Sequence, residues 1–161
     1  MSESFTIRDL RLPDDKPAYV SFIDGLQSYE HAFEPNRRVD AAVAEDFFAV
    51  LMKCVAEQQG RVLIAEADGT PIGWAVFVIE QNALYVVEGE RTCGQISELF
   101  VIQEKRGQGV GQALIEACEA EAKSRGLRSM MIGVLSANKR SVSVYTQAGY
   151  SPYSMKLRKY L

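Results

Sequence analysis

Histidine and cysteine are scarce in this chain, and their placement excludes several kinds of catalytic chemistry. The single histidine, His31, belongs to no Ser-His-Asp or Cys-His set that spacing supports. The three cysteines, Cys54, Cys93 and Cys118, are odd in number and widely scattered. Such thiols suit a reducing cytosol and offer no metal-binding spacing. We therefore expect a cytoplasmic protein that uses no metal.

Long apolar runs and an excess of one charge are also missing. No window approaches the roughly 20 apolar residues that a membrane span needs. The first residues, Met-Ser-Glu-Ser, lack the basic and apolar regions of a secretory signal. The formal net charge is −3, and basic residues are dispersed apart from short runs such as Lys139-Arg140. We therefore expect neither a membrane nor a nucleic acid as partner.

Apolar residues, 47% of the 161, recur with the periods of strands and helices, which predicts one domain of mixed α/β structure over residues 1–161. The first helix carries a stripe of Tyr19, Phe22, Ile23 and Leu26, and the second a face of Val43, Phe47, Val50, Leu51 and Cys54. In the first part of the chain, the pattern predicts a strand at 5–11, a helix capped by Asp14 or Asp15 that ends near Tyr29, and a helix capped by Asp40 that ends at Gly60. It then predicts strands at 61–67 and 72–79 around an Asp68-Gly69 turn, a short strand at 84–87 and a strand at 96–102. The last part is predicted to contain a helix from Val110 to Gly126, a strand at 127–135, a helix from Asn138 to about Ala148, and closing strands at 150–153 and 154–161.

A glycine-rich loop between the strand at 96–102 and the following helix is the main functional signal. Gly107, Gly109 and Gly111 lie at the helix N-terminus, where backbone N–H groups are free and the helix dipole is positive. Glycines let a ligand approach the backbone closely. The arrangement predicts an anion site, most plausibly for phosphate, with Arg106 as a cation beside it.

Known phosphate loops narrow the choice of ligand. Gln112 stands where a dinucleotide-binding loop needs glycine, and the Walker pattern fails at the same position. The kinase signatures H-R-D and D-F-G occur nowhere in the chain. What remains is R-x-x-G-x-G from Arg106 to Gly111, after the run Leu99-Phe100-Val101. Taken alone, the glycines could equally make only a tight strand-to-helix turn.

With this loop and its preceding strand, the sequence resembles the GNAT (GCN5-related) superfamily of N-acetyltransferases, whose signature is [QR]-x-x-G-x-[GA]. The resemblance implies a twisted mixed, mostly antiparallel sheet flanked by helices, in the order β-α-α-β-β-β-α-β-α-β-β. It implies acetyl-CoA as co-substrate, with its pyrophosphate held by the loop. The cofactor-binding residues would be Leu99, Phe100 and Val101 of the strand and Arg106, Gly107, Gln108, Gly109, Val110 and Gly111 of the loop.

A second motif lies downstream, where Asn138, Ser141, Tyr145, Gly149 and Tyr150 resemble the family's N-x-x-[AS]-x-x-x-Y-x-x-x-G-[FY] pattern. The spacing puts Asn138 and Tyr145 on one face of a short helix. By resemblance, Asn138 and Ser141 would contact the cofactor, and Tyr145 would be the general acid that protonates the departing thiolate. The alternative is that Tyr145 is a core residue and Asn138 only a helix cap.

Glu98 is the candidate general base, because it is an acid in an otherwise apolar strand, where burial would raise its pKa. Strand alternation predicts that Glu98 shares a face with Ile96 and Phe100, opposite Leu99 and Val101. Glu98 could equally form a structural ion pair with an arginine. Some family members have their base a residue or two away, where this chain has Ser97 and Gln95, and neither is a base.

The amine acceptor is the least specified partner. The segment after the first helix usually forms the acceptor pocket in the resembled family, so Tyr29, Glu30 and Phe33 are predicted to line it. His31 lies in the same segment, and we favour a surface position for it. The predicted activity is acetyl transfer from acetyl-CoA to a small-molecule or protein amine in a ternary complex. Two alternatives are a non-catalytic CoA-binding module and an enzyme using another acyl-CoA. Homodimers are common in the family, although no residue here requires one.

Overall fold

A computed structural model describes residues 4–161, apart from the side chain of Ala41. This part of the chain contains five strands and four α-helices, with 3₁₀ turns at Glu88–Glu90 and Gln103–Lys105. The elements are β1 (Thr6–Asp9), α1 (Lys16–His31), α2 (Ala41–Glu57), β2 (Arg61–Ala67), β3 (Thr70–Gln81), β4 (Thr92–Val101), α3 (Val110–Ser124), β5 (Met130–Ile132) and α4 (Lys139–Gln147).

The five strands form one sheet in the order β1-β2-β3-β4-β5. Neighbouring strands are antiparallel except β4 and β5, which are parallel. One sheet face packs against α3 and the other against α1 and α2, so both faces are apolar. This mixed α/β sheet flanked by helices is the predicted fold class.

β4 contains a bulge that determines which way its side chains point. Glu98 pairs with Val76 and Ile96 pairs with Phe77, so Ser97 is an extra residue. Ile96 lies in the cluster on the α3 side, whereas Glu98 interacts electrostatically with Glu30 at the end of α1. The prediction that Glu98 and Ile96 share a face was therefore wrong, because the bulge reverses the alternation between them. The prediction that Glu98 and Phe100 share a face agrees with the structure, because Phe100 packs against the cluster on the α1 side.

β4 and β5 separate soon after they meet. Their ladder covers only Gly94–Ile96 of β4 and Met130–Ile132 of β5. Further along, the amide of Ile102 donates to the carbonyl of Ile72 in 3.0 Å, on the β3 side. Because backbone groups alternate along a strand, the N–H and C=O groups of Leu99 and Val101 face the opposite side. Within residues 4–161 no strand pairs with that edge, so β4 has an open edge beyond Ile96.

Several predicted elements differ from the structure. The segment 84–87 is not a strand, because the β3–β4 ladder runs to the pair Gln81 and Thr92 and leaves 82–91 as the connection. The strand predicted at 127–135 is limited to β5. Val50, which was predicted to lie on the apolar face of α2, is 52% exposed. Its neighbour Leu51 faces the core, and successive side chains of a helix point in different directions.

The two predicted closing strands are also absent. Residues 151–161 form no strand, and all their side chains are exposed. β5 is only three residues long, so the segment that follows α4 has only a very short strand edge with which it could pair. Apart from the absent strand at 84–87, the predicted element order therefore holds from β1 to α4 and fails after α4. In residues 4–161 no helix is both long and apolar enough to cross a membrane.

Candidate functional site

A cleft of about 460 Å³ lies where β4 and β5 separate. Its walls are the open edge of β4, the glycine loop with the start of α3, the loop after β5, α4 and the end of α1. The predicted site residues that line it are Tyr29, Glu30, Glu98, Leu99, Phe100, Val101, Arg106, Gly107, Gly109, Gly111, Asn138, Ser141 and Tyr145. Residues from both sequence motifs thus meet in one cavity, although about 30 positions separate them.

The glycine loop reaches α3 through two left-handed residues. Gly107 has φ +78° and Gly109 has φ +86°, a region that side chains rarely adopt. The first intrahelical bond runs from the amide of Ala113 to the carbonyl of Gly109 in 3.0 Å. The amides before Ala113 therefore have no intrahelical partner, and those at Gly109 and Gly111 border the cleft. This end of the cleft suits an anion.

Arg106 is turned away from that loop. Its Nε donates to the carbonyl oxygen of Val101 in 2.9 Å. Its guanidinium carbon lies 4.7 Å from the ring centre of Tyr29 and 5.4 Å from that of Phe100. The predicted cation therefore lies at the cleft wall, between α1 and β4.

α4 places Asn138 and Tyr145 at the opposite wall. Asn138 is 5% exposed and caps the helix, since its Oδ1 accepts the amide of Ser141 in 3.1 Å. The hydroxyl of Tyr29 lies 3.5 Å from the same Oδ1. Tyr145 packs against the α3-side core and also lines the cleft. The geometry therefore permits both interpretations: Asn138 and Tyr145 can be a helix cap and a core residue, and they can also contact a ligand in the cleft.

Two ionisable groups in the cleft have raised pKa values. Burial, the largest cause, raises the pKa of the Tyr145 phenol to about 12, with a smaller opposing effect from Ser141. Burial also raises the pKa of the Glu98 carboxyl to about 7. The negative charge of Glu30 adds to that rise, and Arg37 opposes it. At neutral pH Tyr145 is protonated and Glu98 is divided between acid and base, the states that proton transfer needs.

The predicted acceptor residues only partly line the cleft. Tyr29 and Glu30 do, and Glu30 accepts Arg37 Nε in 2.9 Å. Phe33 does not line the cleft and packs edge-on against the Tyr29 ring, 5.3 Å between centres. His31 is the last residue of α1, which extends past its predicted end, and its Nδ1 lies 2.8 Å from the carbonyl oxygen of Arg37. It therefore braces the loop after α1.

Two loop residues predicted to bind cofactor point elsewhere. The side-chain amide of Gln108 donates to the carbonyl of Glu104 in 2.9 Å, and Val110 is 2% exposed in the core. Only their backbones are left to face a ligand.

Sequence reasoning also missed part of the cleft lining. The missed residues are Leu26, Ile96, Ser97, Gln112, Ile132, Gly133, Val134, Leu135, Arg140, Val144 and Gln147. The sequence pattern predicts a strand through residues 133–135, whereas β5 ends at Ile132 and leaves these residues beyond its end, where they line the cleft. In the described residues no three His, Cys, Asp or Glu side chains are grouped to hold a metal.

The cleft thus brings together a strand with an open edge, a glycine loop at a helix N-terminus and two ionisable groups with raised pKa values. The sequence model of the Acetyltransferase (GNAT) family matches residues 23–150, so the chain belongs to this family. That membership supports acyl transfer as its general activity.

Relatives and solved structures agree with this assignment. The chain is 31% identical over 148 residues to an uncharacterized N-acetyltransferase of Methanocaldococcus jannaschii, covering 92% of this chain and 61% of that protein. It is 26% identical to an IAA acetyltransferase of Azospirillum brasilense, covering 83% of this chain and 77% of that protein. A putative acetyl transferase from Pyrococcus furiosus superposes with TM-score 0.72 at 20% identity, covering 98% of this chain and 100% of that one. That structural likeness shows the shared fold.

Proposed function

We propose that this protein is an acetyl-CoA-dependent N-acetyltransferase acting on a primary amine. The observation that carries the proposal is the meeting of three features in one cleft: the open edge of β4, the free amides of the glycine loop, and the phenol of Tyr145. The first can pair with an extended amide-containing chain, the second can bind phosphate, and the third can donate a proton.

The glycine loop is where the pyrophosphate would bind. A Cβ built on Gly107 or Gly109 would meet no atom within 4 Å, so there is open space against the backbone at both positions. The amides at the start of α3 would donate to the phosphate oxygens. The backbone of Leu99 and the amide of Val101, whose carbonyl accepts Arg106 Nε, would pair with the amide-containing arm of the ligand, beside Asn138 and Ser141 of α4.

The residues around the thioester would divide the proton transfers between two walls. An amine attacks the thioester carbonyl, and an oxyanion develops before the thiolate leaves. A backbone N–H on the open edge of β4 would stabilise that oxyanion, worth a few kcal/mol in such sites. Tyr145, protonated at neutral pH, would give its proton to the thiolate. Glu98, with a pKa of about 7, would take a proton from the attacking amine, directly or through water.

The acceptor would enter from the side of α1, where Tyr29 and Glu30 line the cleft beside Glu98. The contacts there are compatible with a small amine or a protein amino group. We place the reaction in the cytoplasm, since the three cysteines are free thiols, two of them buried.

Titration with acetyl-CoA, followed by release of free CoA with a panel of primary amines, tests the function. The panel comprises a diamine, an amino sugar, an amino acid ester and a peptide N-terminus. We expect saturable acetyl-CoA binding, its loss in Gly109→Glu through bulk and charge, and turnover with at least one amine. Absence of acetyl-CoA binding would contradict the proposal. Binding without turnover on any amine would favour a CoA-binding module, and stronger turnover with a longer acyl-CoA would change the donor.

A further inference from the structure

The side chain of Arg106 makes three contacts, and none is directed at the glycine loop where an anion would bind. Its Nε donates to the carbonyl of Val101, and its guanidinium packs over the rings of Tyr29 and Phe100. Its backbone amide is also engaged, by the carbonyl of Gln103 in 3.2 Å. Both the side chain and the amide of Arg106 are thus committed to neighbouring protein groups.

The carbonyl that Arg106 binds lies on the open edge of β4. Val101 is the last residue of β4, and its carbonyl faces away from β3 because the neighbouring Ile102 bonds to β3. A carbonyl at an unpaired edge needs a donor, and the guanidinium supplies one. Arg106 therefore ends the open edge at Val101, so that the backbone groups left for a ligand are those nearer Leu99.

The ring of Tyr29 extends this arrangement across the cleft. Arg106 lies over one part of the ring, Phe33 packs edge-on against it, and the hydroxyl lies 3.5 Å from Asn138 Oδ1 on the far wall. Because guanidinium is planar and delocalised, it can stack on the ring while donating sideways to Val101. A lysine has the charge and lacks this shape.

We propose that Arg106 is a positioning residue that holds Tyr29 across the mouth of the cleft, and that it is not a phosphate ligand. One consequence of this inference rests on the proposed function. It is that the Tyr29 ring separates the acceptor side of the cleft, with Glu30 and Glu98, from the cofactor side. The cofactor phosphates are left to the backbone amides of the loop.

Arg106→Lys and Arg106→Gln separate the two roles. Lysine preserves the charge, whereas glutamine preserves a planar donor and removes the charge. For a positioning residue, both variants bind acetyl-CoA within about twofold of wild type, and the Tyr29 ring signal in a ¹³C-tyrosine NMR spectrum moves in both, because neither lysine nor glutamine carries the guanidinium that stacks on the ring. The ring signal is identified by its loss in Tyr29→Phe.

A phosphate ligand gives the opposite result. Glutamine would then weaken acetyl-CoA binding by about tenfold or more and reduce its salt dependence, while lysine would bind nearly normally. Weakened acetyl-CoA binding in the glutamine variant, or an unmoved Tyr29 signal in the lysine variant, overturns the proposal. Arg140→Gln is the matched control, because Arg140 is exposed at the other wall and its loss removes one charge from the same cleft.

A measurement without ligand makes the result independent of the proposed function. In ¹⁵N-labelled protein, the Nε–H of Arg106 should exchange with water about tenfold or more slowly than that of Arg140, because it is hydrogen-bonded and covered by two rings. Tyr29→Leu should increase the exchange rate of the Arg106 Nε–H. If the two arginines exchange equally fast, the proposal fails, whether or not the wild type binds acetyl-CoA.

Discussion

Glu98→Gln tests whether the buried carboxyl of β4 has the ionisation behaviour that a general base requires. Burial and the nearby Glu30 raise the pKa of Glu98 from 4.5 to about 7. Since its folded pKa exceeds its unfolded one, the group stabilises the fold below about pH 4.5 and loses that contribution as pH rises through about 7. At about 1.4 kcal/mol per pKa unit, the ionised carboxyl costs up to about 3 kcal/mol.

Glutamine has nearly the same shape and no charge, so the variant avoids this cost. We expect Glu98→Gln to be more stable than wild type by up to about 3 kcal/mol at pH 8 and to differ little at pH 4. Urea unfolding followed by fluorescence measures the difference, because the only tryptophan, Trp74, is fully buried. Glu116→Gln is the control, an exposed carboxyl on α3 whose replacement should change stability by less than about 0.5 kcal/mol.

The same variant tests the catalytic assignment. Wild-type kcat/KM should rise with pH through about 7 as Glu98 loses its proton. In Glu98→Gln that rise should disappear, leaving only the ionisation of the amine itself. Equal stability of variant and wild type at pH 8 would refute the burial argument. An unchanged pH profile would refute the base while leaving the stability argument intact.

Two further predictions follow from the cleft. Tyr145→Phe should lower kcat about 100-fold and leave the acetyl-CoA dissociation constant nearly unchanged, and equal turnover would exclude Tyr145 as the acid. Gly109→Ala should lower the free energy of unfolding in urea by about 1–2 kcal/mol, because the φ of Gly109 is +86°. Gly111→Ala should leave it unchanged, since the new Cβ would meet only Val101 at 3.9 Å, and equal losses in the two variants would contradict the backbone argument.

The fold was predictable from the sequence as far as α4 because its signals are local. Asp40 was predicted to cap α2, and its carboxylate accepts the amide of Val43 in 3.2 Å. Asp15 precedes α1 as predicted, yet its side chain binds Arg8 and the amide of Arg11 instead of capping the helix. A residue's position relative to a helix can be deduced from spacing, whereas its hydrogen-bond partner depends on which distant strand lies beside it.

The site was predictable where backbone conformation matters and less so where side chains choose partners. The positive φ angles of Gly107 and Gly109 fit a loop inferred from glycine spacing alone. Arg106 stands in the right position of the motif, but its orientation is determined by Tyr29 and Phe100, and Tyr29 lies 77 positions away on α1. No periodicity in β4 indicates that contact, because it forms only when α1 folds over the end of the strand.

The bulge at Ser97 shows how one residue can organise such a site. Without it, Glu98 would share the face of Ile96 and would lie in the apolar α3-side core, where an ionisable group has no partner. The extra residue rotates Glu98 toward α1 and Glu30, and the same shift turns the backbone of Leu99 toward the open edge. The bulge therefore determines both that Glu98 faces α1 and that Leu99 presents its backbone groups at the open edge. That coupling explains why alternation alone, applied along β4, assigned Ile96 to the wrong face.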